Sequence, residues 1–320
     1  DMLEEETEKK SHEKVSRSAI ITGTNLYVNL SSPEAAEAVS NRNVDGVGLF
    51  RAEFIAAQIG IHPQKALEEG KGEDWSKELA DGMRRVAEAF DPKPVIYRTL
   101  DFKTNEYREL PGGEIEPDEN NPMLGFRGCH RNVTSRDVFE LELNAIKKVR
   151  EDYGYKNFHV MLPFVRTEGI LQKAIDIMHN VGLRRSKDFK LWIMVEVPST
   201  VFLIEDFLEY VDGVSIGSND LTQLTLGVDR DNQNLAELFD ERDPAVLKAL
   251  EIVIKACRKK NKTVSICGQA PSVYESIVEF LVENGITSIS VNPDAIENTR
   301  RLIAKVEQRF LLNNLRKLNK

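Results

Sequence analysis

The chain has 320 residues, 41% of them apolar and 30% charged, with a formal net charge of −9; this make-up suits a soluble globular protein and leaves room for a barrel of ~250 residues plus a tail. The acidic balance disfavours nucleic acid and anionic membranes, which call for a basic footprint, and no run of ~18 apolar residues offers a membrane span. Three cysteines, Cys129, Cys257 and Cys267, with no CxxC pair, argue against a disulfide framework or a four-cysteine zinc site and for a reducing, cytoplasmic setting.

Residues 1–18 are almost wholly polar or charged and read as a linker from an upstream module, an expectation that the opening Asp1 supports. They lack the apolar core of a signal peptide. Short apolar, β-branched runs then recur at 26–30, 46–50, 95–98, 158–162, 191–195, 213–217, 263–267 and 288–291. Runs this short and continuous suit strands buried on both faces of a parallel sheet. Helical patterns separate them at 32–41, 75–90, 136–153, 167–179, 201–210, 244–260, 274–284 and 298–308. Eight such repeats predict an α/β fold, a (β/α)8 TIM barrel over 19–308, with residues 309–320 as a basic tail. An open doubly wound sheet is the competitor, but neither GxGxxG nor a Walker loop occurs. The connection between strands 3 and 4 is enlarged, and long connections in compact domains are usually functional or disordered.

Barrel active sites form at the carboxyl ends of the strands. Read there, strand two delivers Arg51, strand three Arg98 and then Asp101, and strand five Glu196. Strand six delivers Asn219 and Asp220, with Arg230 ten residues on; strand seven delivers Cys267 and strand eight Asn292. The long connection adds Arg127 and Arg131. Glu196 and Asp220, from neighbouring strands, are able to share one hard cation such as Mg2+. The arginines suit phosphate and carboxylate groups through paired hydrogen bonds, and Asn219 is a further donor. Cys267 is able to exchange a proton with carbon or act as a nucleophile. Singly, each has a plainer reading: a solvated arginine, a helix cap at Glu196 or Asp220, an inert thiol at Cys267. Cys257 is assigned to that inert class, and His159 reads as a satisfied core histidine. It is convergence at one barrel mouth that points to a small, multiply anionic substrate.

The segment Asp212-Gly-Val-Ser-Ile-Gly-Ser-Asn-Asp-Leu-Thr-Gln-Leu-Thr-Leu-Gly-Val-Asp-Arg230 resembles the signature of the phosphoenolpyruvate (PEP)-utilising enzymes. Gly48-Leu-Phe-Arg-Ala-Glu-Phe54, Tyr97-Arg-Thr-Leu-Asp101, Asn121-Pro-Met-Leu-Gly-Phe-Arg-Gly128, Met194-Val-Glu-Val-Pro198 and Cys267-Gly-Gln269 agree with it in order, so the resemblance covers roughly residues 24–308. The segments at 101–107 and 265–272 look like its phosphoenolpyruvate synthase branch, with the dikinase and enzyme I branches as alternatives. The resemblance implies that Glu196 and Asp220 ligate Mg2+. It implies that Arg51, Arg98, Arg127 and Arg230, with Asn219 beside them, bind the phosphoryl group, and that Cys267 handles the proton at the methylene carbon. PEP or pyruvate is then the small-molecule substrate, and the barrel is expected to form a homodimer or higher oligomer. The family reaction also needs a phosphohistidine module and an ATP-binding module. None of the five histidines here (His12, His62, His130, His159, His179) lies in a Gly- and Ser/Thr-rich context, so both are expected elsewhere in a longer protein. An aldolase-like or citrate-lyase-like barrel, and a non-catalytic barrel used for assembly, are the competing readings.

Overall fold

The computed structural model describes residues 20–318; the linker expected at 1–18 lies outside them. Eight strands form: β1 Asn25–Leu30, β2 Gly46–Arg51, β3 Val95–Arg98, β4 Phe158–Leu162, β5 Leu191–Val195, β6 Gly213–Ile216, β7 Thr263–Ile266 and β8 Ser288–Val291. All the pairings are parallel, running β7-β6-β5-β4-β3-β2-β1-β8. The β7–β8 seam is closed by one residue. Thr287 donates its N–H to the Val264 carbonyl (3.1 Å), and its Oγ1 accepts from the Val264 N–H (2.8 Å) and donates to the same carbonyl (2.7 Å). A side chain there supplies what a ladder rung supplies elsewhere.

The crossovers hold α1 Ala36–Ser40, α2 Glu53–Ile59, α3 Pro63–Glu68, α4 Gly72–Phe90, α5 Thr104–Arg108, α6 Gly128–Thr134, α7 Arg136–Glu151, α8 Glu168–Asn180, α9 Pro198–Phe202, α10 Ile204–Phe207, α11 Ser218–Leu226, α12 Pro244–Lys259, α13 Ala270–Val273, α14 Glu275–Asn284 and α15 Ile296–Leu318. Local chemistry fixes several ends. Thr167 caps α8 by accepting from the Ile170 N–H, and Asp243 caps α12 from Ala245 with Pro244 at its first position. Gly285, at φ +82°, ends α14. The helix expected over 201–210 is two short helices, because the chain breaks at Leu203. No helix break falls at 308, since α15 continues to Leu318.

Two apolar layers sandwich the strands. Outside, Trp75, Leu79, Met83, Val86 and Phe90 line one face of α4 and are buried against the sheet. The rings of Tyr97, Phe50 and Phe158 pack in a triangle, with Tyr97 5.6 Å from Phe50 and 5.5 Å from Phe158 between centroids, and the Tyr97 hydroxyl donates to Glu142 on α7 (2.7 Å). Inside, Leu49, Ile96, Met161, Trp192, Met194 and Cys267 form a separate buried cluster. That cluster plugs the barrel, so the mouth has an apolar floor, and a polar site is built above it from the strand ends and the connections that follow them. Among the described residues no helix is long and apolar enough to cross a membrane.

Candidate active site at the barrel mouth

A cavity of about 200 Å³ opens above this plug. Arg51, Arg98, Arg127, Asn219, Arg230, Glu196, Asp220 and Cys267 all line it, so every residue singled out for substrate, metal or proton chemistry reaches one place. Arg131 and Asn292, also read at strand ends or in the long connection, do not. Arg131 pairs with Glu116 through two hydrogen bonds of 2.8 and 2.7 Å, and the Asn292 side chain lies against Asn29. The lining also includes Asp101, Lys103, Glu106 and Met123, of which sequence reading gave only Asp101 a place.

Each group is held by its neighbours. Arg127 is buried and forks onto Asp101, with Nε–Oδ1 at 3.1 Å and Nη2–Oδ2 at 2.6 Å. Its Nη2 also donates to Asp220 Oδ2 at 3.1 Å. Its guanidinium lies 4.1 Å over the ring of Phe164. Burial alone would raise the Asp101 pKa, but Arg127, Arg98 and Lys103 hold it below the usual range. Asn219 and Asp220 sit in the first turn of α11. The Asn219 carbonyl oxygen accepts from the Gln269 N–H (3.0 Å), which leaves its amide nitrogen as the donor for another partner.

Glu196 sits one residue beyond β5 and is buried. It is not a cap, because Val197 holds the N-cap position of α9. Its Oε2 accepts from the Phe164 N–H at 2.8 Å. Phe164 adopts φ +48°, a region that bulky residues rarely enter and that costs on the order of 1–3 kcal/mol. The strained backbone aims its N–H at Glu196 while its ring supports Arg127. Strand four thus contributes a peptide group and a ring face, and no polar strand-end residue marked it in the sequence. Gly217 is required on the other side: a Cβ there would stand 2.6 Å from Glu196 Oε1.

Burial, and then the negative charge of Asp220, push the Glu196 pKa up. Asp220 Oδ1 is buried without a hydrogen-bond partner, with Arg230 Nη1 at 3.8 Å. Among the described residues no group of three or more His, Cys, Asp or Glu gathers as a metal site. Two neighbouring carboxylates, one under pressure to stay neutral and one with an idle oxygen, are the pair able to hold a cation that draws its other ligands from substrate and water.

Cys267 is buried at the end of β7, and burial pushes its thiol up to about 12. It is held as S–H, the form of a proton donor. Cys257, on the apolar face of α12, is likewise pushed up to about 12 by burial. His159 Nδ1 accepts from the Lys190 N–H (3.3 Å), and burial lowers its pKa to about 4, so it is neutral and satisfied.

A family profile described as "PEP-utilising enzyme, PEP-binding domain" matches residues 5–308. A probable phosphoenolpyruvate synthase of Staphylothermus marinus is 54% identical over 304 residues, covering 93% of this chain and 36% of the relative. The phosphoenolpyruvate synthase of Aeropyrum pernix is 53% identical over 305 residues, 93% of this chain and 37% of the relative. That of Neisseria meningitidis is 45% identical over 298 residues, 86% of this chain and 38% of the relative. The chain therefore spans somewhat more than a third of the length of these three relatives. With the profile matched along nearly its whole length, the chain belongs to the PEP-utilising enzyme family and carries its PEP-binding domain.

Proposed function

We propose that this chain is the PEP/pyruvate half-site of a phosphoenolpyruvate synthase, a phosphotransferase of the pyruvate, water dikinase type acting in the cytoplasm. The reaction is Mg2+-dependent phosphoryl transfer between a phosphohistidine on another module of the full-length protein and pyruvate. One observation carries the proposal: four arginines, two carboxylates and a thiol converge on one cavity of about 200 Å³. The names of the relatives support the same reading.

In this reading Arg51, Arg98, Arg127 and Arg230 bind and offset the charge of the phosphoryl group, where positioning and electrostatics do most of the catalytic work. The Asn219 amide adds a donor. Glu196 and Asp220 hold Mg2+, which when bound supplies Lewis-acid polarisation of the keto oxygen. Cys267 handles the proton at the carbon end. As the phosphoryl group leaves PEP for the histidine, the Sγ–H bond gives its proton to the methylene carbon and leaves a thiolate; in reverse, that thiolate, formed by loss of the S–H proton, takes a proton from the pyruvate methyl group. Leu49 and Met194 floor the cavity and keep bulk water from that carbon.

The test is deuterium exchange into the methyl group of pyruvate by this chain with Mg2+ in D2O, followed by NMR. Exchange is expected in the wild type, and its loss in Cys267→Ala with pyruvate binding retained. A wild type without exchange removes the proposal. The chain with ATP and pyruvate alone should give no PEP, and turnover there would overturn the assignment of histidine and nucleotide to other modules.

A further inference from the structure

Arg98 borders the mouth cavity, and the residue that ties it has no role so far. Arg98 Nη2 donates to Glu53 Oε1, and its Nη1 lies 3.8 Å from Asp101 Oδ2. Glu53 Oε1 also accepts from the Asp101 N–H at 3.0 Å. One carboxylate oxygen on α2 therefore fixes the last side chain of β3 and the backbone three residues further on. Two atoms are left over: Arg98 Nε and Glu53 Oε2 are both buried and lack hydrogen-bond partners. In a fork-to-fork pair these atoms would serve each other; here the carboxylate is turned toward Asp101. A buried charged group with an idle atom is unfavourable unless something completes it.

The position of Glu53 gives this meaning. Arg51, Arg98, Asp101 and Glu106 line both the mouth cavity and a second groove of about 460 Å³ between α2 and α5. Glu53 lines only the second groove. It holds Arg98 from behind, while Arg98 itself borders the substrate cavity. We propose that Glu53 is a positioning residue that sets the Arg98 guanidinium to receive the phosphoryl oxygens of a PEP-type substrate. The inference rests on the PEP-binding reading above.

Charge and positioning predict opposite signs, which makes the idea testable. A carboxylate beside the site repels a phosphoryl anion, so on charge alone Glu53→Ala should bind PEP more tightly. If Glu53 positions Arg98, the same variant binds PEP more weakly, by roughly 10-fold or more, the scale of one charge-assisted hydrogen bond. Titration calorimetry of this chain with Mg2+, using PEP and pyruvate in turn, reads the difference. Pyruvate carries no phosphoryl group, so its affinity should stay within about 2-fold, near the variation of an unconnected surface change. Glu53→Gln keeps an oxygen able to accept from Arg98 and Asp101, and should recover most of the PEP affinity. Unchanged or tighter PEP binding by Glu53→Ala overturns the inference, as does equal weakening toward both ligands. Should Glu53→Ala not fold, Glu53→Asp replaces it: selective weakening toward PEP supports positioning, and wild-type affinity overturns it. A wild type that binds no PEP removes the underlying reading and this inference together, whereas PEP binding indifferent to Glu53 removes the inference alone.

Discussion

Phe164 holds two of the site's opposing charges in place at once. Its N–H satisfies Glu196, its ring carries Arg127 at 4.1 Å and Arg166 at 4.7 Å, and its backbone is strained to do so. Replacing it by Gly would relieve the backbone and keep the N–H but remove the ring. Phe164→Gly is therefore expected to lose stability by about 2 kcal/mol, since relieved strain of about 1–3 kcal/mol offsets only part of the roughly 3–5 kcal/mol of a buried ring, and to weaken PEP binding by roughly 10-fold as Arg127 loses its shelf. Thermal melts and calorimetry check the two halves separately; a variant that binds PEP normally would show that the ring is dispensable. Sequence reading found the charged strand-end residues because the last residue of a parallel strand projects into the mouth. It passed over Phe164, whose contribution is a peptide N–H and a ring face, neither of which has a residue-type signature. Glu53 lay inside a quoted motif without a role, because nothing in its spacing told which arginine it would meet.

At the scale of elements, the long connection between β3 and β4 is where reading the chain gave least. It contains α5, α6 and α7 with short 3-10 turns between, and its residues offered Arg127 and Arg131 together, only the family resemblance singling out Arg127. They are four residues apart but on opposite sides of the start of α6: Arg127 is its N-cap and enters the mouth, while Arg131 turns to Glu116. Glu116 also bonds His62 Nε2 at 2.8 Å, and His62 Nδ1 accepts from the Gln64 N–H at 3.1 Å. The donor to Nδ1 places the ring proton on Nε2, so the imidazole donates to Glu116. Arg131 is sandwiched between the rings of Phe126 (4.4 Å) and Tyr107 (4.9 Å). Burial would raise the Glu116 pKa, but His62 and Arg131 hold it down to about 2. A carboxyl depressed from its ordinary value of about 4.5 binds fewer protons folded than unfolded. Its contribution is thus complete above about 4.5 and lost as the pH falls toward 2. Glu116→Gln should melt below the wild type at pH 7 and show a shallower fall in Tm between pH 5 and 2. Parallel curves would mean that the buried pair adds nothing.

Two features act on the whole barrel. Glu142 on α7 accepts from the Tyr97 hydroxyl and the Leu100 N–H, both at 2.7 Å, and so joins the outer helical layer to β3. Burial pushes its pKa up to about 8. The folded protein then holds a proton that the unfolded chain releases near 4.5, so stability falls as pH rises between those values. Glu142→Gln, neutral throughout, should lose less Tm than the wild type between pH 6 and 9; a steeper loss would contradict the assignment. The β7–β8 seam depends on Thr287 in place of a full ladder. Thr287→Val removes two hydrogen bonds but keeps shape, and is expected to cost about 1–2 kcal/mol. Hydrogen exchange should locate the loss at Val264 and its neighbours, and uniform loss of protection would argue against a weak seam. The barrel itself was legible because strand–helix alternation leaves few topologies. How it closes was not, since Thr287 precedes an ordinary strand and nothing in its surroundings marks it as a rung.

Just before β1, the Gly23 and Thr24 N–H groups both donate to Glu307 of α15, at 2.9 and 2.7 Å. β1 starts, and this stretch of α15 lies, on the side of the barrel remote from Arg98 and Cys267. From Ile296 to Glu307 the helix descends about 16 Å at 1.5 Å per residue. Any partner joined through the upstream chain therefore sets out from the underside. If a group is delivered to the arginines from there, as the proposed function requires, the distance to be covered is at least that length, and changing the spacing between modules should alter the frequency of productive visits.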